Sequence, residues 1–247
     1  MDITSPNYAF YNQYDTTIII LRNYNLKDKN NVLSNLKYYT KLKSFDCSRC
    51  DLVELPENLP NSLMSLICSN NRLTRLPNLD NLTQLESLWC NNNILSELPS
   101  LSNLTKLELL NCSANNLIKL PERLPNSIQF LYCWINKLEE LPEILPNYLF
   151  HLQCYHNKLK ILPDLPDSLI YLNSNDNHKD FKLNYPNFKI ITINQINGIS
   201  RNLKRLKIID RCLLLEHSAR ICLNPKRIER LLNSLEIDFF DGSFSHL

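Results

Sequence analysis

Glycine is almost absent: Gly198 and Gly242 are the only two in 247 residues. Loops that cradle phosphate use glycine so that backbone N–H groups can come close to an anion. Neither a P-loop nor a dinucleotide fingerprint can be written with these two positions, which excludes nucleotide chemistry of those kinds. Long apolar runs are missing as well. In the first 26 residues the one apolar run worth noting is Ile18–Leu21, too short for a signal-peptide core or a membrane span. Net charge is also small, at +2, and gives the whole molecule no pull toward nucleic acid or a membrane surface. The charge is unevenly spread, however. Residues 200–231 hold nine Lys/Arg against three Asp/Glu.

Cysteine and proline are plentiful, at nine and thirteen. Without a secretory leader the cysteines are expected as free thiols in a reducing, intracellular compartment. The sequons Asn81-Leu-Thr83, Asn103-Leu-Thr105 and Asn111-Cys-Ser113 are then chance matches.

The strongest signal is a period. The pattern L-x-x-L-x-C-x-x-N-x-L-x-x-L-P begins at Leu42, Leu63, Leu85, Leu107, Ile128 and Leu149, and a seventh copy from Leu169 decays after Asn177. Successive copies start 20 to 22 residues apart, which is the spacing of leucine-rich repeats. In each copy the fourth and sixth residues fall on one side of a short strand. Stacked copies would therefore line up Leu66, Leu88, Leu110, Leu131 and Leu152 in one inner column, and Cys47, Cys68, Cys90, Cys112, Cys133 and Cys154 in the next. A third column, Asn71, Asn93, Asn115, Asn136, Asn157 and Asn177, would satisfy backbone groups of its own and the adjoining coil; Cys50 takes that place in the first copy. Paired prolines such as Pro56/Pro60 and Pro121/Pro125 forbid helix on the opposite side and favour extended or polyproline II backbone. Leu79-Asp-Asn-Leu-Thr83 and Leu101-Ser-Asn-Leu-Thr105 leave room for a helical turn. The fold class predicted is an α/β solenoid, a right-handed leucine-rich-repeat superhelix with a parallel β-sheet on its concave face.

The L-P-x-x-L-P-x-x-L arrangement resembles the short-repeat leucine-rich proteins that pathogenic bacteria deliver into host cells. The Asn/Ile/Lys-rich flavour resembles leucine-rich proteins of giant DNA viruses, which would place the chain in a host cytoplasm. The likeness covers residues 42–178 and implies a binding scaffold, since one coil design serves many partners. Some bacterial members add a ubiquitin-ligase domain with a Cys-x-Asp nucleophile. No Cys-x-Asp occurs here, and residues 197–247 are too few to hold that domain.

Both ends of such a core need covers. Residues 1–41 read as a capping strand over Thr16–Leu26, with Ile19 and Leu21 inward, and a helix over Asp28–Lys41. Repeats occupy 42–196, where Phe188, Ile191 and Ile193 make one degenerate copy. Residues 197–247 read as a helical C-terminal cap: Leu203, Leu206, Ile209 and Leu213 form a stripe, and Asn224-Pro225 is a helix start.

Chemistry has little to work with. Six parallel cysteines inside a core are small hydrophobes, not nucleophiles or metal ligands. His151-x-x-Cys154-x-His156 looks like a ligand cluster, but strand alternation sends His151 and Cys154 to opposite faces. No catalytic residues, metal or cofactor are assigned. The open face is more informative. Its columns run Ser44, Ser65, Ser87, Leu109, Phe130, His151, Tyr171 and Asp46, Ile67, Trp89, Asn111, Tyr132, Gln153, Asn173. The outermost is Ser48, Ser69, Asn91, Ser113, Trp134, Tyr155, Asn175. Small polar residues fill the early copies and aromatics the later ones. Phe130, Tyr132, Trp134, Tyr155 and Tyr171, with His151 and His156 beside them and Trp89 further off, are the predicted partner-binding patch, exposed to solvent. The expected function is non-enzymatic binding of a protein partner, with no small-molecule substrate. The alternative is a ubiquitin-ligase adaptor recruiting through the C-terminal helical segment.

Overall fold

The computed structural model describes residues 17–22, 33 and 36–181, together with the backbone of 189–191 and 221–223. Ten three-residue strands form one sheet in the order β1-β2-β3-β4-β5-β6-β7-β8-β10-β9. They are β1 (Ile18–Ile20), β2 (Ser44–Asp46), β3 (Ser65–Ile67), β4 (Ser87–Trp89), β5 (Leu109–Asn111), β6 (Phe130–Tyr132), β7 (His151–Gln153), β8 (Tyr171–Asn173), β9 (Lys189–Ile191) and β10 (Ile221–Leu223). From β1 to β8 every neighbour is parallel, and like positions pair: Phe45 with Leu66, Leu66 with Leu88, Leu131 with Leu152. One strand per copy, stacked in register, is what the period predicts.

The interior is a single apolar column system. Phe45, Leu66, Leu88, Leu110, Leu131, Leu152 and Leu172 are fully buried, as are Cys47, Cys68, Cys90, Cys112, Cys133 and Cys154. Each buried leucine is worth roughly 1.5–3 kcal/mol. That gain is realised only when the next coil covers it, so stability is carried between neighbours. The thiols donate long hydrogen bonds to the following coil, as from Cys90 Sγ to the Asn111 carbonyl at 3.4 Å and from Cys112 Sγ to that of Tyr132 at 3.5 Å. Burial raises their pKa, to about 12 for Cys90 and Cys154.

The asparagine column closes the backbone accounts of the turn. Asn115 Oδ1 accepts the Leu95 N–H at 3.0 Å, while Nδ2 donates to the carbonyls of Cys90, Cys112 and Ser113, each at 3.1 Å. Asn93, Asn136 and Asn157 repeat this set. The residue before each of these asparagines is left-handed: Asn70, Asn92, Ala114, Ile135, His156 and Asp176 have φ between 48° and 56°. In a chain with two glycines, Asn or Asp serves at three of these six positions and Ala, Ile or His at the others, where glycine would enter most easily.

The far side divides into two kinds of connection. In three of the four copies with two prolines, Ser62, Ser127 and Ser168 each donate an Oγ–H bond of 2.8 Å to the carbonyl of the leucine that opens the same copy, Leu42, Leu107 and Leu149. The two proline-poor copies, open to a helical turn on sequence grounds, form consecutive i→i+3 turns instead: Leu82 N–H to Leu79, Leu85 N–H to Leu82, and likewise through Leu101, Leu104 and Leu107.

At the front Ile19 and Leu21 are buried as expected; of the strand expected over 16–26, Ile18–Ile20 is strand, residues 17, 21 and 22 are not, and 16 and 23–26 lie outside the described residues. Of the helix expected over 28–41, Leu36–Tyr38 is a 3₁₀ turn, and residues 28–32, 34 and 35 lie outside the described residues. At the back the parallel series stops at β8. Strand β9 is not its neighbour: β10 lies between them, antiparallel to both. Of the helical segment expected over 200–235, Ile221–Leu223 is a strand instead, because it pairs with β8 and β9; residues 200–220 and 224–235 lie outside the described residues.

Candidate functional site

Strand pleating divides the side chains without exception. Central residues of β2–β8 enter the core, and their neighbours on either side point to the outer face. That face begins small and polar. Ser87 donates to Ser65 Oγ at 2.9 Å, and Ser69 to Asn91 Oδ1 at 2.6 Å. Asp46 is buried and receives the Arg22 guanidinium at 2.6 Å on one oxygen, and the N–H and hydroxyl of Ser48 on the other.

From β5 onward the character changes. Leu109, Phe130 and Tyr132 form an apolar cluster separate from the core, with Trp89 and Trp134 half-buried against it. His151 lies flat on Tyr171, with ring centroids 3.8 Å apart and planes 18° apart, and meets Tyr132 edge-on at 5.3 Å. Gln153 Nε2 lies 3.0 Å from His151 Nε2; the amide donates, which places the imidazole proton on Nδ1. Trp134 and Tyr155 stack at 5.4 Å with planes 5° apart, and Tyr155 meets His156 edge-on at 5.3 Å.

The expected patch is therefore brought together, but not as an exposed one. Phe130, Tyr132, His151 and Tyr171 are 2%, 4%, 7% and 5% exposed, against the expectation that they face water. Strands stand about 4.8 Å apart, so large rings in successive coils must lie on one another, and alternation alone does not count that mutual cover. Trp89, Trp134 and Tyr155 are half-buried, and His156 is exposed on its turn, 3.5 Å from Asp176. Three contributors were missed from the sequence. Leu109 joins the cluster, Gln153 fixes the His151 tautomer, and Ile135 occupies a left-handed turn beside Trp134. The first two stand in the outer columns, so column membership was their signal. Ile135 could have been found by asking which residue precedes each ladder asparagine.

Among the described residues the core thiols and His151 are held out of reach. Burial depresses the His151 pKa to about 3, and burial first, then neighbouring thiols, raises those of Cys68 and Cys133 well above the ordinary range. Cys154 sits in the core and His151 on the opposite face, as strand alternation requires. Among the described residues no helix is long and apolar enough to cross a membrane.

Parallel three-residue strands, a leucine core and an asparagine ladder define the class: this is a leucine-rich-repeat solenoid. Residues 61–103 match the family model described as leucine rich repeats (2 copies). Among solved structures the chain is similar to YopM from Yersinia enterocolitica WA-314, at 38% identity and TM-score 0.52 over 56% of this chain and 29% of that one. YopM from Yersinia pestis, described as a leucine-rich effector protein, is 41% identical with TM-score 0.53 over 56% of this chain and 38% of that one. This chain thus spans well under half the length of either. A chain from the octameric complex of latrophilin 3, Unc5D and FLRT2 shares the fold at 24% identity and TM-score 0.54, over 70% of this chain and 54% of that one. No curated protein matches.

Proposed function

We propose that this protein is a non-enzymatic scaffold that binds a protein partner on the concave face of its sheet. The observation that carries this reading is the second apolar cluster, Leu109, Phe130 and Tyr132, built on the outer face and rimmed by half-buried Trp89 and Trp134. Rigid aromatic rings on a buried floor match the make-up of interaction hot spots. The titratable groups support the same reading, because a buried imidazole with a pKa near 3 and thiols raised to about 12 are poor proton carriers and nucleophiles near neutrality. The likeness to bacterial effectors agrees with it. Among the described residues Cys47, Cys68, Cys90, Cys112, Cys133 and Cys154 are free and buried, which is consistent with a reducing, intracellular setting.

The test is affinity capture with quantitative mass spectrometry, comparing the wild type with Trp89→Ala/Trp134→Ala. The two tryptophans suit this purpose better than Tyr132, whose burial ties it to folding. The expected result is loss of specific partners while the thermal midpoint changes little. An unchanged set of captured proteins would refute the proposal.

A further inference from the structure

We infer that the concave face over β4 and β5, between Trp89 and Asn111 at one end and the carboxylates of Glu86 and Glu108 at the other, docks an extended peptide segment through a lysine or arginine side chain. The inference rests on the scaffold reading above and names the chemistry of its partner.

The charge on this face can be counted completely. From β3 to β8 it is made of the first and third residue of each strand, bordered by the residue before the strand and the second residue after it. At all of these positions only Glu86 and Glu108 are ionised, since His151 is neutral with its pKa depressed to about 3. The two glutamates precede β4 and β5 and are neighbours: the Glu108 N–H donates to the Glu86 carbonyl at 2.8 Å. Neither enters an ion pair among the described residues.

Cations close by do not offset them. Lys106, on the turn before β5, donates to Gln84 Oε1 at 2.6 Å, so two carboxylates face one ammonium that is already engaged. Lys43 stands two coils from Glu86, with Met64 between them, and Arg22 is taken up by Asp46. Burial first, and then Glu86, raises the Glu108 pKa, and no cation acts the other way. The pair is complementary to a positive charge brought from outside.

A hydrogen-bond donor waits at the other end of the strand. Asn111 pairs in register with Trp89 and is 8% exposed. Its Oδ1 accepts the N–H and the hydroxyl of Ser113 at 3.2 and 2.6 Å. A backbone N–H can only donate, which fixes the oxygen end of this amide. Nδ2 has no acceptor among the described residues, and a buried donor gains most when one is supplied. A peptide carbonyl supplies it, whereas a free polyamine has none to offer.

Spacing joins the two ends. Glu108 and Asn111 lie three residues apart, about 10 Å along the strand. Between them are Ser87, which is small, and Leu109, against which Trp89 packs. A lysine or arginine whose carbonyl meets Asn111 can lay its stem over Ser87 beside the Trp89 ring and bring its charged head to the carboxylates.

The test pans a phage library of random peptides against the full chain and titrates synthetic copies of the enriched peptides by fluorescence anisotropy. Enriched sequences are expected to share a Lys or Arg and to bind more weakly as salt rises. Glu86→Gln/Glu108→Gln should weaken binding about tenfold or more, as loss of a charge pair does. Replacing the shared basic residue by norleucine should cost as much on the wild type and little on that variant, because both changes remove one interaction. The glutamines keep the shape of the side chains and remove a repulsion, so a thermal midpoint no lower than that of the wild type separates lost binding from lost folding. Absence of enrichment, enrichment of acidic or neutral peptides, or wild-type affinity in Glu86→Gln/Glu108→Gln would overturn the inference. Displacement by spermidine as effective as by the unlabelled peptide would overturn it too, since charge alone would then be read. Each of these results leaves the scaffold reading in place, because that reading fails only when the tryptophan variant keeps its captured proteins.

Discussion

Strands β3 and β4 and strands β5–β8 share one backbone and one core, yet their outer faces obey different rules. In β3 and β4 only the central leucine is buried, and the residues on either side of it are half-buried. In β5–β8 all three residues of every strand are buried. The inner columns do not change between the two regions, so the difference comes from what the outer columns carry. Ser65 and Ser87 leave β3 and β4 half-open, whereas from Leu109 onward larger side chains, with the rings of β6–β8 among them, cover one another. A leucine-rich coil can thus hold a second apolar layer on its outer face without altering the first, since the pleat keeps the two sets of side chains apart.

The largest test of this contrast is pH. His151 is buried with its pKa lowered from 6.5 to about 3. Above pH 6.5 both folded and unfolded chains carry it neutral, and it gives no pH dependence. Between 6.5 and 3 the unfolded chain takes up the proton and the folded chain does not, so stability falls as pH falls. The full loss is on the order of 5 kcal/mol. Urea melts at several pH values should show this slope in the wild type and a flatter one in His151→Phe, which keeps a ring on Tyr171. Equal slopes would mean that the imidazole is solvated and the aromatic region open.

A paired truncation comes next. Phe130→Ala should cost about 3–4 kcal/mol, as for a core aromatic, although this position faces away from the core. The equivalent Ser65→Ala in the open region should stay within about 0.5 kcal/mol, because it removes little more than the acceptor of Ser87. If chemical denaturation gave similar small losses for both, the outer cluster would be decoration and the two regions would not differ in kind.

How much of this was legible in the sequence follows from the same division. The coil, its leucine and cysteine columns and the role of each asparagine are set by contacts between equivalent residues in adjacent copies, so the period alone reveals them. Asn115 is bonded as its column position implies. The outer face depends on side-chain volume across three or four strands at once, and alternation reports direction without reporting cover. Phe130 and His151 were placed on the right face with the wrong exposure for that reason. At the back, Ile191 continues the apolar pattern, yet its strand pairs with Cys222 and its neighbours and not with β8. Periodicity has no term for a strand that arrives from thirty residues downstream.

The smallest effect probes the turns, where the two regions again diverge. Before the ladder asparagine, the coils of β3 and β4 place Asn70 and Asn92, while those of β5–β8 place Ala114, Ile135, His156 and Asp176, all left-handed. An asparagine reaches that conformation at less cost than a β-branched residue, by about 1 kcal/mol. Ile135→Asn should therefore stabilise the protein by about that amount, and Asn92→Ile should destabilise it by about the same, since neither side chain belongs to the core. Thermal or urea melts of the two variants, read against each other, separate backbone preference from local packing. If instead Ile135→Asn lost stability, Ile135 would be contributing apolar cover to Trp134. Its exposure would then reflect a packed rim, and the distinction between the polar and aromatic ends of the sheet would extend to the turns that border it.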